Sequence, residues 1–381
     1  MTPEPRHPPT VPSYGAAALA DLSSSILASL DQDTPESQNV LGLPSTRRAC
    51  LLIVDGLGWE LLRDHPAVAP FLSELARNSR PITAGFPSTT VTSLGSICTG
   101  RPPGQHGILG YQVIIPGENR LLNGLRWDSR IDPKQWQPLP TVYERAAAAG
   151  IAAVHVTQGA FRGTGLTVAT MRGADFRAAD SMGALAARAA TALREYDRAF
   201  VTVYHGDLDG TGHVFGVGSD AWYNQLAHVD KLAEQLAGAL PSGTCMYVTA
   251  DHGMVDVGPD DKFDVDEHPD LRVGLALLGG EPRARHLYAR RGAAADVLAT
   301  WRAVLGDRAW VLPRDEAVKE GWFGPVATAM TSRIGDVVAA ADGSLALVAT
   351  QAEPRESRLV GMHGSLTPEE QLVPALMYAA A

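Results

Sequence analysis

Several short stretches of this chain carry side chains able to hold a cation or attack an electrophile. In VYHGDLDGTGHVFG, Asp209 and His213 stand four residues apart just after an apolar run. A carboxylate and an imidazole at that separation reach one cation if the intervening glycines allow a tight turn or the start of a helix, and mixed oxygen and nitrogen donors suit zinc. A loop of ordinary turn residues is the competing reading. In VTADHGM, Asp251 and His252 follow a fully apolar run. Adjacent residues at a strand end point in different directions, so the two grip one metal from a bend or face two metals. Without a metal, a buried Asp-His pair leaves costly unpaired polar groups. Asp55 closes the run ACLLIVD before the turn GLG, where an aspartate by itself is ordinary turn chemistry. His363 lies in GMHGS, between glycines, a setting in which a lone histidine is more often a surface residue than a ligand.

The nucleophile candidate is Thr90, within GFPSTTVTSLGSICTGRPPGQHGILGY. A strand-like segment ends at Pro87, a hydroxyl-rich turn follows, and TSLGSICTG can form a helix whose N-terminal amides favour an anionic phosphoryl group beside Thr90. The alternative is a capping cluster of Ser88, Thr89 and Thr90 with no chemical role.

These residues need a scaffold that brings them to one place. ACLLIVD runs into a turn and the helix-like WELLRDH, which is half of a βαβ unit. The same alternation recurs. IAAVHVT from Ile151 follows VYERAAAAG, AFVTVYH from Ala199 follows a helical run from Met182 to Tyr196, and CMYVTADHG from Cys245 follows a helix from about Ser219 to Leu240. Short apolar runs alternating with helices predict an α/β fold with a mostly parallel central sheet and helices on both faces. In such sheets ligands sit beyond the carboxyl ends of the strands, where Asp55, Asp209 and Asp251 fall. The pattern changes after His252, and residues 271–350 read as a small inserted α/β subdomain, after which LVGMHGSLTPEE is expected to rejoin the main sheet. Residues 1–13 read as a disordered tail, followed by a helix in AAALADLSSSILASL and a catalytic domain that occupies 14–381.

Composition narrows the partners. With 32 basic and 42 acidic residues, the formal charge of −10 is spread along the chain and argues against a nucleic-acid duplex or an anionic membrane as main partner. An anionic substrate then needs local positive charge, which bound cations supply. Cys50, Cys98 and Cys245 are odd in number and lack CxxC spacing, so they read as reduced core residues. The N-terminal stretch has no signal-peptide pattern and no apolar run spans a membrane, so the expected location is cytoplasmic. The sequence sets no oligomeric state.

Taken in order, the motifs resemble the alkaline phosphatase superfamily, most closely its nucleotide pyrophosphatase/phosphodiesterase branch. The likeness rests on Asp55 after the first strand, Thr90 ten residues before Gly100 in the TG…HGI segment, D-x-x-x-H at Asp209 and His213, DHG at Asp251, and a late GxHG at His363. It covers about Ala49 to His363. The resemblance implies two divalent ions, zinc by preference. Asp209, His213 and His363 would hold one, and Asp55, Asp251, His252 and the Thr90 oxygen the other. It further implies cleavage of a small-molecule phosphodiester or pyrophosphate through a phosphothreonine. A zinc phosphomonoesterase and a non-catalytic metal-binding relative are the alternatives.

The chain also departs from that pattern. Val91 stands where the branch has an aromatic residue after the nucleophile, and Tyr111 where it has a phosphoryl-binding asparagine. Tyr204 matches an aromatic of the base slot, and Tyr111 and Tyr204 are the expected substrate contacts. Asp207 ranks below Asp209 because it lacks the family's spacing to His213, and His106 is expected to brace its turn. Cys98 is followed by Thr-Gly-Arg rather than the C-x-P-x-R segment that the related sulfatases need.

Overall fold

The computed structural model describes residues 7–30 and 37–380. Residues 1–6 of the expected tail lie outside them. Residues 7–13 lie against the body of the protein, where the Thr10 amide donates to the Leu366 carbonyl and the Trp310 indole N–H donates to the His7 carbonyl.

A six-stranded sheet forms the centre. Its spatial order is Ala375–Ala379, Thr244–Thr249, Arg48–Val54, Ala199–His205, Ala152–Thr157 and Asp175–Ala178, with only the first strand antiparallel. Arg48–Val54 is at the middle, and its neighbours pair with it in register, Val54 opposite His205 and Ile53 opposite Thr249. Three strands therefore end level, and the residues that follow them, Asp55, Asp209 and Asp251, emerge at one edge. The four inner strands are buried almost throughout, which explains why they read as unbroken apolar runs rather than alternating ones.

Helices cover both faces. Met182–Glu195 and Asp220–Ala239 pack together on one side, each capped by a serine hydroxyl: Ser181 accepts from Ala184 N and Ser219 from Trp222 N. Leu19–Ser29, Thr90–Thr99 and Val142–Ala148 pack together as a second group. The last of these begins with a reciprocal cap between Thr141 and Glu144.

The region after Asp251 carries a separate four-stranded antiparallel sheet, in the order Leu275–Glu281, Ala284–Ala289, Val337–Ala341, Ala309–Pro313. The helix Ala294–Leu305 packs on it, and its own apolar cluster centres on Trp301 and Leu287. The return to the main sheet comes later than the sequence suggests. Gly361–Met362 makes a two-residue antiparallel ladder with Val255–Asp256, and the main sheet gains its last strand only at Ala375–Ala379.

A buried ion pair fastens the second sheet to the short helix Pro368–Gln371, after His363. Arg283, in the turn between Leu275–Glu281 and Ala284–Ala289, meets Glu370 at 2.6 Å, and both side chains have no exposed surface. Glu370 also accepts from the Ser365 amide and the Thr367 hydroxyl, which fixes the loop after His363. Removing one partner of such a pair strands the other charge away from water, so Glu370→Ala is expected to cost about 3–5 kcal/mol in urea unfolding. A loss below about 1 kcal/mol would mean that the pair is solvated and does not fasten the second sheet to that helix.

Candidate metal centre

Each predicted ligand is delivered by a different device. Asp55 follows the central strand, and its amide continues the ladder by donating to the His205 carbonyl at 3.0 Å. Asp209 and His213 lie one turn apart on the helix Asp207–Phe215, so the four-residue spacing is helical rather than a loop. Asp251 and His252 sit on the bend after Thr244–Thr249. His363 lies on a loop that is tied to the segment before Thr90, because the Ser88 amide donates to the Gly364 carbonyl and the Ser88 hydroxyl to the Ser365 carbonyl. Gly56 permits the close approach: its φ is +76°, and a side chain there would press within 3.0 Å of Asp209 Cβ.

The six side chains form two groups of three, Asp209 with His213 and His363, and Asp55 with Asp251 and His252, the donor atoms of each within 4.8 Å of one another. His213 Nε2 lies 3.2 Å from Asp209 Oδ2, and His363 Nε2 lies 3.7 Å from Asp209 Oδ1. In the other group His252 Nε2 is 3.3 Å from Asp55 Oδ1 and 3.4 Å from Asp251 Oδ2. Donors about 2.0–2.1 Å from a tetrahedral ion are about 3.3 Å apart, so both groups have the dimensions of a zinc shell. Thr90 Oγ1 is 3.2 Å from His252 Nε2, which attaches it to the second group.

The three imidazoles are held alike. Nδ1–H of His213 donates to the Gly361 carbonyl at 2.7 Å, that of His252 to Gly253 at 2.8 Å, and that of His363 to Ser88 at 2.9 Å. Nδ1 facing a carbonyl must carry the proton, which leaves each Nε2 lone pair directed at its group. Among the carboxylates, Asp55 Oδ1, Asp209 Oδ1 and Asp251 Oδ2 are buried and accept no hydrogen bond. Burial and the neighbouring Asp251 and Asp209 charges push the Asp55 carboxyl well above its usual range. Three carboxylates with buried, free oxygens, among imidazoles whose Nδ1 protons go to backbone carbonyls, are a donor set suited to divalent cations.

Other sequence readings meet particular surroundings. Tyr204 is buried, and its hydroxyl donates to Asp55 Oδ2, so it holds a carboxylate while its ring faces a cavity beside Thr90. The Tyr111 hydroxyl donates to Glu356 Oε1 at 3.1 Å. Asp207 is exposed and belongs to neither group. His106 Nδ1 accepts from the Ile108 amide, and its Nε2 faces the Ser96 hydroxyl at 3.1 Å, so this histidine braces the turn. Cys50, Cys98 and Cys245 are free and buried.

The sequence reading missed Glu281. Its carboxyl lines the same cavity as Thr89, Thr90, Asp209, His213 and His363, and it arrives from the second sheet. The only signal was a Gly-Gly-Glu-Pro turn closing an apolar strand, which is a common way to end a hairpin.

Comparison with known proteins agrees with this geometry. The family model for type I phosphodiesterase / nucleotide pyrophosphatase matches residues 49–366. The chain belongs to that family. Family membership makes it a phosphoric ester hydrolase by reaction class. Among solved structures, murine ectonucleotide pyrophosphatase / phosphodiesterase 5 superposes with a TM-score of 0.68 at 18% identity, over 88% of each chain. Phosphonoacetate hydrolase from Sinorhizobium meliloti, solved with phosphonoformate, gives 0.67 at 20% identity, over 89% of this chain and 91% of its own. These likenesses establish the alkaline-phosphatase-like fold. No curated protein sequence matches significantly.

Adding zinc to the metal-free protein should raise its thermal unfolding midpoint. At a free concentration about a thousand times the dissociation constant, one site adds about 4 kcal/mol. The gain should shrink as the pH falls, because protons compete for the imidazole lone pairs. A midpoint indifferent to zinc at neutral pH would show that the buried carboxylates are stabilised in another way.

Proposed function

We propose that the protein is a two-zinc phosphodiesterase acting on a small molecule, with Thr90 as nucleophile. The observation that carries this reading is the position of Thr90 Oγ1, against His252, at the first turn of the ten-residue helix Thr90–Thr99, and at the meeting point of two cavities. Each cavity has a volume of about 200 Å3 and both are lined by Thr90 and Leu125. One is mainly apolar, with Phe161, Leu166, Met171 and the Tyr204 ring. The other contains Tyr111, Glu281, Glu356 and the Asp209 group. A phosphodiester has two arms and a monoester one, so two cavities that flank a single nucleophile favour the diester. Pyrophosphate bonds also have two arms and belong to the same proposal.

Asp55, Asp251 and His252 would hold one ion beside Thr90, and Asp209, His213 and His363 the other. Bound there, the ions supply a lowered pKa for the threonine hydroxyl and charge neutralisation at the departing oxygen. The remaining tasks fall to the protein. Amides of the first helical turn lack carbonyl partners and present partial positive charge where the phosphoryl oxygens lie. Tyr204 fixes the Asp55 carboxylate, and the helix holds Thr90 in line with phosphorus. Thr90 Oγ forms a bond to phosphorus as the bond to the leaving alcohol breaks. Water then displaces the threonine from the vacated side, and two inversions give net retention. A cytoplasmic setting belongs to the same proposal, supported by three buried, unpaired cysteines, and no helix among the described residues is long and apolar enough to cross a membrane.

A phosphomonoesterase with the same metals is the competing reading. The zinc-loaded protein should hydrolyse bis(4-nitrophenyl) phosphate at least about tenfold faster than 4-nitrophenyl phosphate in kcat/KM, about 1.4 kcal/mol in barrier. The reverse preference would establish the monoesterase. Thr90→Ala should retain zinc while its turnover falls by at least about a thousandfold, and full activity in that variant would make water the direct nucleophile.

A further inference from the structure

The turn that carries Arg283 also places Glu281. The strand Leu275–Glu281 ends at this carboxyl, and two buried pairs anchor the next strand's start: Arg283 to Glu370 at 2.6 Å and Arg285 to Glu353 at 2.7 Å. Glu281 itself is 7% exposed, and its Oε1 is buried without a hydrogen-bond partner. Gly364, directly after His363, makes room for it. Its φ is +134°, and a Cβ there would fall 3.0 Å from the Glu281 carboxyl carbon. Both arginines beside Glu281 form their ion pairs with other carboxylates, so among the described residues none pairs directly with it. Keeping such a group costs stability unless something binds to it.

The cavity in front of Glu281 lies on the side of Thr90 that contains Asp209, His213 and His363. Thr90 itself attaches to the other group through His252. An in-line displacement expels its leaving group opposite the nucleophile. On the reading given under Proposed function, this cavity therefore receives the departing arm. Its polar lining beyond the metal groups consists of the Glu281 and Glu356 carboxyls, the Tyr111 hydroxyl and Thr89, and the only basic residues among the lining are His213 and His363. Glu356 already accepts from Tyr111 through Oε1.

We propose that this cavity selects a leaving alcohol that donates hydrogen bonds and carries no negative charge, an amino alcohol or a polyol, with Glu281 and Glu356 as the contacts. The proposal rests on the phosphodiesterase reading and narrows it. Acceptors facing the leaving arm reward an ammonium or a hydroxyl, and beyond the ion that the Asp209 group would hold, a leaving group that is itself a phosphate meets two carboxyls. Diesters of amino alcohols or polyols are then preferred over pyrophosphate bonds.

The test uses the full zinc-loaded chain and three methyl phosphodiesters whose second arm is 2-aminoethyl, 2,3-dihydroxypropyl or 2-carboxyethyl. The released alcohol is measured, so that the departing arm is known. The aminoethyl or dihydroxypropyl arm should leave with kcat/KM at least about tenfold above the carboxyethyl arm. In Glu281→Gln and Glu356→Gln the ratio of aminoethyl to carboxyethyl should fall at least about fivefold, and a ratio within one protein preparation is insensitive to the fraction folded. Equal rates for all three arms, a preference for the carboxylate, or a ratio unmoved in both variants would overturn the proposal. If bis(4-nitrophenyl) phosphate is hydrolysed while the arms are not distinguished, this inference fails alone. If no diester is hydrolysed, the phosphodiesterase reading fails with it.

Discussion

Three adjacent strands end level at the middle of the sheet, and each passes a carboxylate into the same buried space. Two like charges about 4 Å apart repel by roughly 4 kcal/mol at an effective dielectric of about 20, and removal from water adds to that cost. Asp55, Asp209 and Asp251 each keep a buried oxygen with no hydrogen bond. The arrangement is coherent once positive charge occupies the space between the carboxylates. The imidazoles support the same conclusion, because all three have their Nδ1 protons taken by backbone carbonyls and their Nε2 lone pairs turned inward. Folding thus carries an electrostatic debt at one edge of the sheet that divalent ions would offset.

That constraint makes position matter more than identity, and much of the second sheet serves position. The Arg283–Glu370 pair joins the second sheet to the helix Pro368–Gln371, and Glu370 in turn holds Ser365 and Thr367. Ser365 and Gly364 are bonded to Ser88, two residues before Thr90. One chain of buried contacts therefore links the tip carrying Glu281, the loop carrying His363 and the helix start carrying Thr90. A displacement of any member would be felt at the other two, since packed interiors transmit strain rather than absorb it.

The four inner strands of the main sheet were legible because they are buried on both faces, so apolar runs alternating with helices mark them, whereas the edge strand Asp175–Ala178, exposed to half-buried, was not read. The two groups of donor side chains were legible because each member follows such a run or sits between glycines, and their order matches a known family. Glu281 was not legible. Nothing local distinguishes it from a hairpin residue, and its role emerges only when a tip some seventy residues after Asp209 folds back over the site. The Tyr204 hydroxyl was hidden for the same reason, its partner lying 149 positions away. The antiparallel edge strand Ala375–Ala379 was missed because only Leu376 of its five residues is buried, so it lacks the unbroken apolar run that marks the inner strands. Residues 7–13 read as a tail because prolines suppress regular structure, yet single hydrogen bonds and a few apolar contacts suffice to place them.

Crystals grown with zinc and measured on both sides of the zinc absorption edge test the central claim most directly. The account predicts two anomalous peaks about 4 Å apart. One should lie about 2.0–2.2 Å from donors of Asp209, His213 and His363, and the other at that distance from Asp55, Asp251 and His252. A single peak, or peaks at other residues while these six side chains remain without metal, would contradict it.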